Sequence, residues 1–115
     1  MQVIHKEEVQ HRIDSWQDQD LYVHLEMTMG AYAAHFDSNK QPAANFLTNA
    51  VVRYSHGTIA GDGPFYRVGL KMDHGWIYTE GLTEWDETDA DQLILAGHDA
   101  QGKLVVSLQL SREPF

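Results

Sequence analysis

The stretch Leu21-Tyr-Val-His-Leu-Glu-Met27, followed by Gly30 and then Ala31-Tyr-Ala-Ala-His-Phe36, decides the fold class. Apolar and polar residues alternate along both segments, which is typical of strands with one buried and one exposed face. Gly30 lies between them, where the chain has to turn. The stretch therefore predicts a hairpin and a chain built mainly from β-strands.

The remaining sequence extends this pattern on both sides of the hairpin. Residues 4–17 predict an amphipathic helix, because Val9, Ile13 and Trp16 fall on one side of it. Further strands are predicted at residues 48–55, 65–72, 76–80, 93–98 and 103–110, with turns at 56–64, 73–75 and 99–102. About seven strands with short connections predict a small antiparallel barrel or sandwich with one N-terminal helix, formed as one domain over residues 1–115.

Composition excludes several classes of function. The chain has 115 residues, a formal net charge of −9 and no cysteine. A strongly acidic chain is a poor partner for nucleic acid, and without cysteine it has no disulfide, zinc–thiolate site or thiol nucleophile. The sequence contains no membrane-spanning stretch and no signal-peptide pattern, so a cytoplasmic location without a membrane partner is expected.

The register of the predicted hairpin decides which side chains meet. With an even number of turn residues, His24 lies opposite His35, and both share a polar face with Glu26. A three-residue turn would instead place His35 against Val23, and the hydrophobic pattern favours the even register. Two imidazoles and a carboxylate predict a divalent-metal or acid–base site, as in a metal-assisted hydrolase or isomerase. The alternative is an exposed face of hydrogen-bonded histidines.

A second candidate site combines cations with aromatic rings on the predicted central strands. Its residues are Arg53, Tyr54, Arg67, Lys71, Trp76 and Tyr78. Guanidinium groups bind anions and aromatic rings cover the apolar part of a ligand, so the set predicts a pocket for a small anionic metabolite or a sugar. The alternative is that the cations pair with Glu80, Glu84 or Asp86.

The other polar residues predict structural roles. His56 and His74 precede glycines in predicted turns, and His98 is placed to cap the turn at Asp99. The acidic run around Trp85 predicts a solvated loop; its residues are Glu80, Glu84, Asp86, Glu87, Asp89 and Asp91. The chain has no nucleophile elbow, phosphate-binding loop or dinucleotide fingerprint, so no ordinary enzyme class is indicated.

Several stretches together resemble the YojF-like family of uncharacterised bacterial proteins. They are Tyr22-Val-His-Leu-Glu26, Gly30-Ala-Tyr-Ala-Ala-His35, Val52-Arg-Tyr-Ser-His-Gly57, Tyr66-Arg-Val-Gly-Leu-Lys71, Gly81-Leu-Thr-Glu-Trp85, Leu95-Ala-Gly-His-Asp99 and Pro114-Phe115. The resemblance implies a small all-β domain with no established activity. It also implies an accessory role beside a zinc-dependent N-acetylglucosaminyl deacetylase of bacillithiol synthesis, a possible partner protein.

Three hypotheses follow for the function. The first is an accessory protein that binds a partner or a small anionic metabolite. The second is the metal-assisted enzyme at His24, Glu26 and His35, and the third is a homodimer stabilised by the histidine, arginine and aromatic residues.

Overall fold

Two antiparallel sheets and one helix make up the part of the chain that the computed structural model describes, residues 1–28, 39 and 43–115. Its elements are β1 (Gln2–Val3), α1 (Lys6–Ser15), β2 (Leu21–Met27), β3 (Asn45–Val52), β4 (Tyr54–Ala60), β5 (Tyr66–Met72), β6 (Trp76–Leu82), β7 (Glu84–Asp86), β8 (Gln92–His98) and β9 (Leu104–Ser111). The six-stranded sheet has the order β1-β7-β8-β9-β2-β3, and the three-stranded sheet has the order β4-β5-β6. The predicted mainly β fold is confirmed as a sandwich-like arrangement rather than a closed barrel.

The core lies between the two sheets and the helix. It combines Val23, Leu95 and Leu108 of the large sheet with Val68 and Leu70 of the small sheet, all fully buried or nearly so. Burial of these apolar side chains is the main favourable term that holds the sheets together.

The helix α1 confirms the predicted amphipathic segment. Val9, Ile13 and Trp16 are all buried, and Glu7 lies in the first turn, where the helix dipole favours negative charge. His5 caps the helix, because its Nδ1 accepts a hydrogen bond from the backbone N–H of Glu8 at 3.3 Å. The helix packs against one face of the small sheet, along β4. It does not contact the other face of that sheet.

The predicted hairpin partner of β2, residues 31–36, lies outside the described residues. Within the described part of the chain, β2 pairs with β3 on one side and with β9 on the other. The cross-strand neighbours of His24 are therefore Thr48 and Gln109. An alternating pattern shows which face of a strand is buried, but it does not identify the strand that pairs with it.

The predicted single strand at 48–55 is also wrong, because the chain changes sheets at Arg53. Strand β3 belongs to the large sheet, and Tyr54 already begins β4 of the small sheet. Residues 56–60, predicted as part of a turn, complete β4, so His56 is a strand residue. A bulge at Asn49, whose φ is 59°, helps to redirect the chain, since an extra residue bends a strand.

The two later hairpins are confirmed. Strands β5 and β6 flank residues 73–75, and β8 and β9 flank the turn in which the N–H of Gly102 bonds to the carbonyl of Asp99 at 2.9 Å. The Asp99 carboxylate caps this turn by accepting from the backbone of Gln101, a role that had been predicted for His98.

The acidic segment is not one solvated loop. Strand β6 continues through Glu80 to Leu82, and β7 pairs with both β1 and β8. Trp85 in the middle of β7 is buried in the core, which explains why the acidic residues on either side of it are held in a strand.

Candidate ligand-binding face

Three strands of the small sheet present one continuous exposed surface, here called the aromatic–basic face. Three rows of cross-strand neighbours form it: His56, Lys71 and Trp76; Thr58, Gly69 and Tyr78; Ala60, Arg67 and Glu80. Side chains at alternate positions of a strand share a face, and the intervening residues, such as Val68 and Leu70, are buried in the core. The pattern that builds the core thus also brings these residues to one surface.

The two aromatic residues of this face are unusually open to solvent. Trp76 is 64% exposed and Tyr78 is 60% exposed. Gly69 lies at the centre of the face and has no side chain, and a Cβ placed there would lie 3.9 Å from the Trp76 ring. The indole therefore leans over the glycine, so the centre of the face is flat and apolar.

Arg67 and Lys71 stand on either side of Gly69 along β5. Each of them is two residues from the glycine along the strand, a distance of about 7 Å. Both side chains are exposed, and within the described part of the chain neither forms an ion pair. The predicted pairing of these cations with Glu80, Glu84 or Asp86 is therefore not observed among the residues described.

Tyr78 has one polar neighbour on the face. Its hydroxyl donates to Oε2 of Glu80 at 3.2 Å. Desolvation and the negative charge of Glu80 raise the pKa of Tyr78, although Arg67 acts in the opposite direction. The phenol thus stays protonated and offers a ring together with a hydroxyl group.

Two of the six predicted ligand-binding residues lie elsewhere. Arg53 is exposed at the crossing between the sheets, where its Nε donates to Asp20 at 3.0 Å, and this hydrogen bond and charge raise the pKa of Arg53. Tyr54 is fully buried, and its hydroxyl donates to the carbonyl of Ile13 at 2.6 Å. Burial raises the pKa of Tyr54, which has a structural role in joining α1 to β4.

The predicted metal site can be followed at two of its three residues, because His35 lies outside the described residues. His24 and Glu26 are adjacent, with Nε2 of His24 lying 3.3 Å from Oε1 of Glu26, while Nδ1 of His24 lies 2.8 Å from the Thr48 hydroxyl. Both imidazole nitrogens are thus engaged, and one would have to be released before it could bind a metal. Among the described residues no three histidine or acidic side chains form a group that could hold a metal ion. The metal site stays a prediction.

One polar cluster was missed from the sequence. Nδ1 of His98 lies 2.5 Å from Oε2 of Glu84, and the same oxygen accepts from the Thr83 hydroxyl. Burial opposes ionisation of Glu84, but the hydrogen bonds from Thr83 and His98 outweigh it and lower the pKa of this carboxyl. Thr83 and Glu84 are adjacent in sequence, but His98 lies 14 residues beyond Glu84 and reaches it because β7 pairs with β8, so no local spacing could have indicated the cluster.

The described residues contain no helix with the length and apolar character needed to span a membrane.

Comparison with known proteins supports the resemblance seen in the sequence. The chain is 45% identical over 115 residues to the uncharacterized protein YojF of Bacillus subtilis (strain 168), covering all of this chain and 98% of that protein. It is also similar to the crystal structure of Bacillus subtilis YojF protein, with a TM-score of 0.80 and 42% identity over 98% of this chain and 94% of that one. Residues 3–115 match the family described as protein of unknown function DUF1806, and the chain belongs to this family.

Proposed function

We propose that this chain is a non-catalytic binding domain, and that its aromatic–basic face holds a small anionic ligand built on a saccharide-like ring. The observation that carries the proposal is that Trp76 and Tyr78 are exposed side by side on β6, next to two cations of β5 that form no ion pair within the described part of the chain. Folding does not require this arrangement, because exposing large aromatic side chains to water is unfavourable.

The chemistry of the face suits such a ligand. The apolar side of a sugar ring would stack on Tyr78 and on the indole of Trp76, which leans over Gly69. A carboxylate on the ring would then be within reach of Arg67, whose planar guanidinium binds carboxylates through two hydrogen bonds, or of the Lys71 ammonium group. The Tyr78 hydroxyl supplies a hydrogen bond to a ring hydroxyl.

An accessory role in the cytoplasm agrees with this ligand class. The family resemblance implies a link to an N-acetylglucosaminyl deacetylase of bacillithiol synthesis, and an anionic aminosugar conjugate is a ligand that such an accessory protein would hold or deliver. We propose that the face binds a metabolite of this kind rather than transforming it, since the sequence carries none of the motifs of an ordinary enzyme class.

Isothermal titration with methyl β-D-glucuronide tests the proposal, with the neutral methyl β-D-glucoside as the comparison ligand. The glucuronide is expected to bind more tightly, and Trp76→Ala to weaken it about tenfold, since stacking contributes about 0.5–1.5 kcal/mol beyond area burial. Arg67→Gln is expected to weaken the glucuronide and leave the glucoside unchanged.

Two control variants lie off the face. Phe65 is an exposed aromatic residue outside the three rows, and Arg53 is an exposed cation paired with Asp20. Phe65→Ala and Arg53→Gln should both keep the affinity of the unaltered chain. Equal affinities for Trp76→Ala and the unaltered chain, or no binding of the glucuronide at all, would refute the proposed function.

A further inference from the structure

An apolar cleft opens beside the aromatic–basic face, at the edge of the small sheet. It has a volume of about 480 Å³ and lies between β6 and the open end of β2, β3 and β9. Leu25, Met27, Leu47 and Val106 line it from the large sheet, and Tyr78 and Glu80 line it from the small sheet. Among the described residues, β6 is the strand of the small sheet that borders the cleft.

The apolar residues that line the cleft differ in burial: Val106 is buried, whereas Met27 and Leu47 are exposed. Leu25 lies opposite Leu47 on one side and opposite the fully buried Leu108 on the other, so these three side chains share the inner face. Nevertheless, Leu47 is 45% exposed and the neighbouring Met27 is 47% exposed. Apolar surface of this kind, left open in a concave site, is typical of a place where an apolar group binds.

The cleft is continuous with the proposed binding face. Tyr78 and Glu80 belong to both, because β6 is the last strand of the described small sheet and its residues border the face on one side and the cleft on the other. A ring stacked on Tyr78 would therefore stand at the mouth of the cleft. A substituent on that ring would enter the cleft without crossing open solvent.

We infer that the cleft receives the aliphatic tail of a single-chain amphiphile whose anionic ring lies on the aromatic–basic face. The inference rests on the proposed function and names its ligand class more closely, as an anionic glycoside with an apolar aglycone. At roughly 30 Å³ for each methylene in a close-packed interior, a tail of eight carbons occupies about half of the cleft, so the cleft has room for it. Glu26 and Glu80 both line the cleft, and their carboxylates disfavour a second anionic group on the tail.

A chain-length series of alkyl β-D-glucuronides, methyl, butyl, hexyl and octyl, tests the inference by isothermal titration below the micellar concentration. Each added methylene is expected to tighten binding about fourfold, which is the free energy of burying one methylene converted to a ratio of affinities. Leu47→Asn should remove the dependence of affinity on chain length and leave the affinity for the methyl compound unchanged.

A matched control comes from the same strand. Val51 is as exposed as the cleft residues, but it pairs with Tyr22 and lies on the other face of β3. Val51→Asn should keep the full dependence on chain length. If Leu47→Asn fails to fold, Met27→Asn makes the same test from β2.

The outcomes separate this inference from the proposed function. Binding of the methyl glucuronide with no dependence on chain length would overturn the inference and leave the proposed function standing. A chain-length dependence that Leu47→Asn and Met27→Asn both retain would also overturn it, because the tail would then bind elsewhere. If no glucuronide binds, both are wrong.

Discussion

The two faces of the three-stranded sheet use similar residues in opposite ways. On the inner side, Tyr54 is buried and its hydroxyl is satisfied by the Ile13 carbonyl, while Trp16 packs in the core. On the outer side, Tyr78 and Trp76 have most of their surface in water. The inner aromatic residues thus stabilise the fold, whereas the outer ones contribute little to it. In this small domain, an aromatic side chain that remains exposed to solvent in the folded structure therefore indicates a binding role.

The largest contrast is expected between two tryptophans. Trp16→Ala should lower the free energy of unfolding by about 3–5 kcal/mol, the range for emptying a large buried aromatic site. Trp76→Ala should change it by less than about 1 kcal/mol, because the indole is mostly in water. Urea denaturation of both variants measures the two values.

A loss above about 2 kcal/mol in Trp76→Ala would contradict the distinction between the two faces, because surface substitutions rarely have effects of this size. A loss below about 1 kcal/mol in Trp16→Ala would contradict the position of Trp16 in the core.

Removing a single hydroxyl group from Tyr54 or from Tyr78 compares the two faces more finely. Tyr54→Phe keeps the ring but removes the buried hydrogen bond to the carbonyl of Ile13, which then keeps only the longer bond from the N–H of Trp16 at 3.3 Å, so a loss of about 0.5–1.5 kcal/mol is expected. Tyr78→Phe removes only an exposed hydrogen bond to Glu80 and should cost less than about 0.5 kcal/mol. Thermal unfolding of the two variants at one pH makes the comparison, and equal losses would contradict it.

The smallest expected effect is a pH-dependent change in stability, which is predicted for Glu84→Gln and not for Glu80→Gln. The pKa of Glu84 is lower in the folded chain than its usual value, so the ionised carboxylate adds stability above about pH 4.3 that is lost as the pH falls through the lower folded value. The stability difference between the unaltered chain and Glu84→Gln should therefore be greatest near neutral pH and shrink in acid. Glu80→Gln, on the exposed face, serves as the control.

Melting temperatures measured from pH 7 down to pH 3 follow this difference. A gap between the unaltered chain and Glu84→Gln that stays constant through the acid range would contradict the role assigned to the hydrogen bonds from Thr83 and His98.

Local patterns predicted the elements well where the relevant contacts are themselves local. The helical stripe of Val9, Ile13 and Trp16 is buried as expected, and the two later hairpins form because each is closed by a short turn. The aromatic and basic residues of β5 and β6 could be predicted as one site for the same reason, since a hairpin brings them together.

Contacts between distant segments could not be predicted in this way. The pairing of β2 with β9 joins residues far apart in sequence, and no alternation within β2 identifies that partner. The change of sheet at Arg53 was missed because both sides of it have strand-like composition, and Tyr54 was therefore assigned to a ligand instead of the core. Gly97 of β8 lies so close to Gly81 of β6 that a Cβ on Gly97 would collide with the Gly81 carbonyl oxygen, and this close approach depends on how the two sheets pack.

The most direct test of the account uses the chain's own tryptophans. The chain contains three, of which Trp16 and Trp85 are buried and Trp76 is exposed, so acrylamide should quench the emission of Trp76 selectively. Saturating methyl β-D-glucuronide is predicted to protect this emission from acrylamide, and Trp76→Ala should remove both the accessible emission and its protection. Unchanged quenching of the unaltered chain at every glucuronide concentration would contradict the claim that the aromatic–basic face binds an anionic ring.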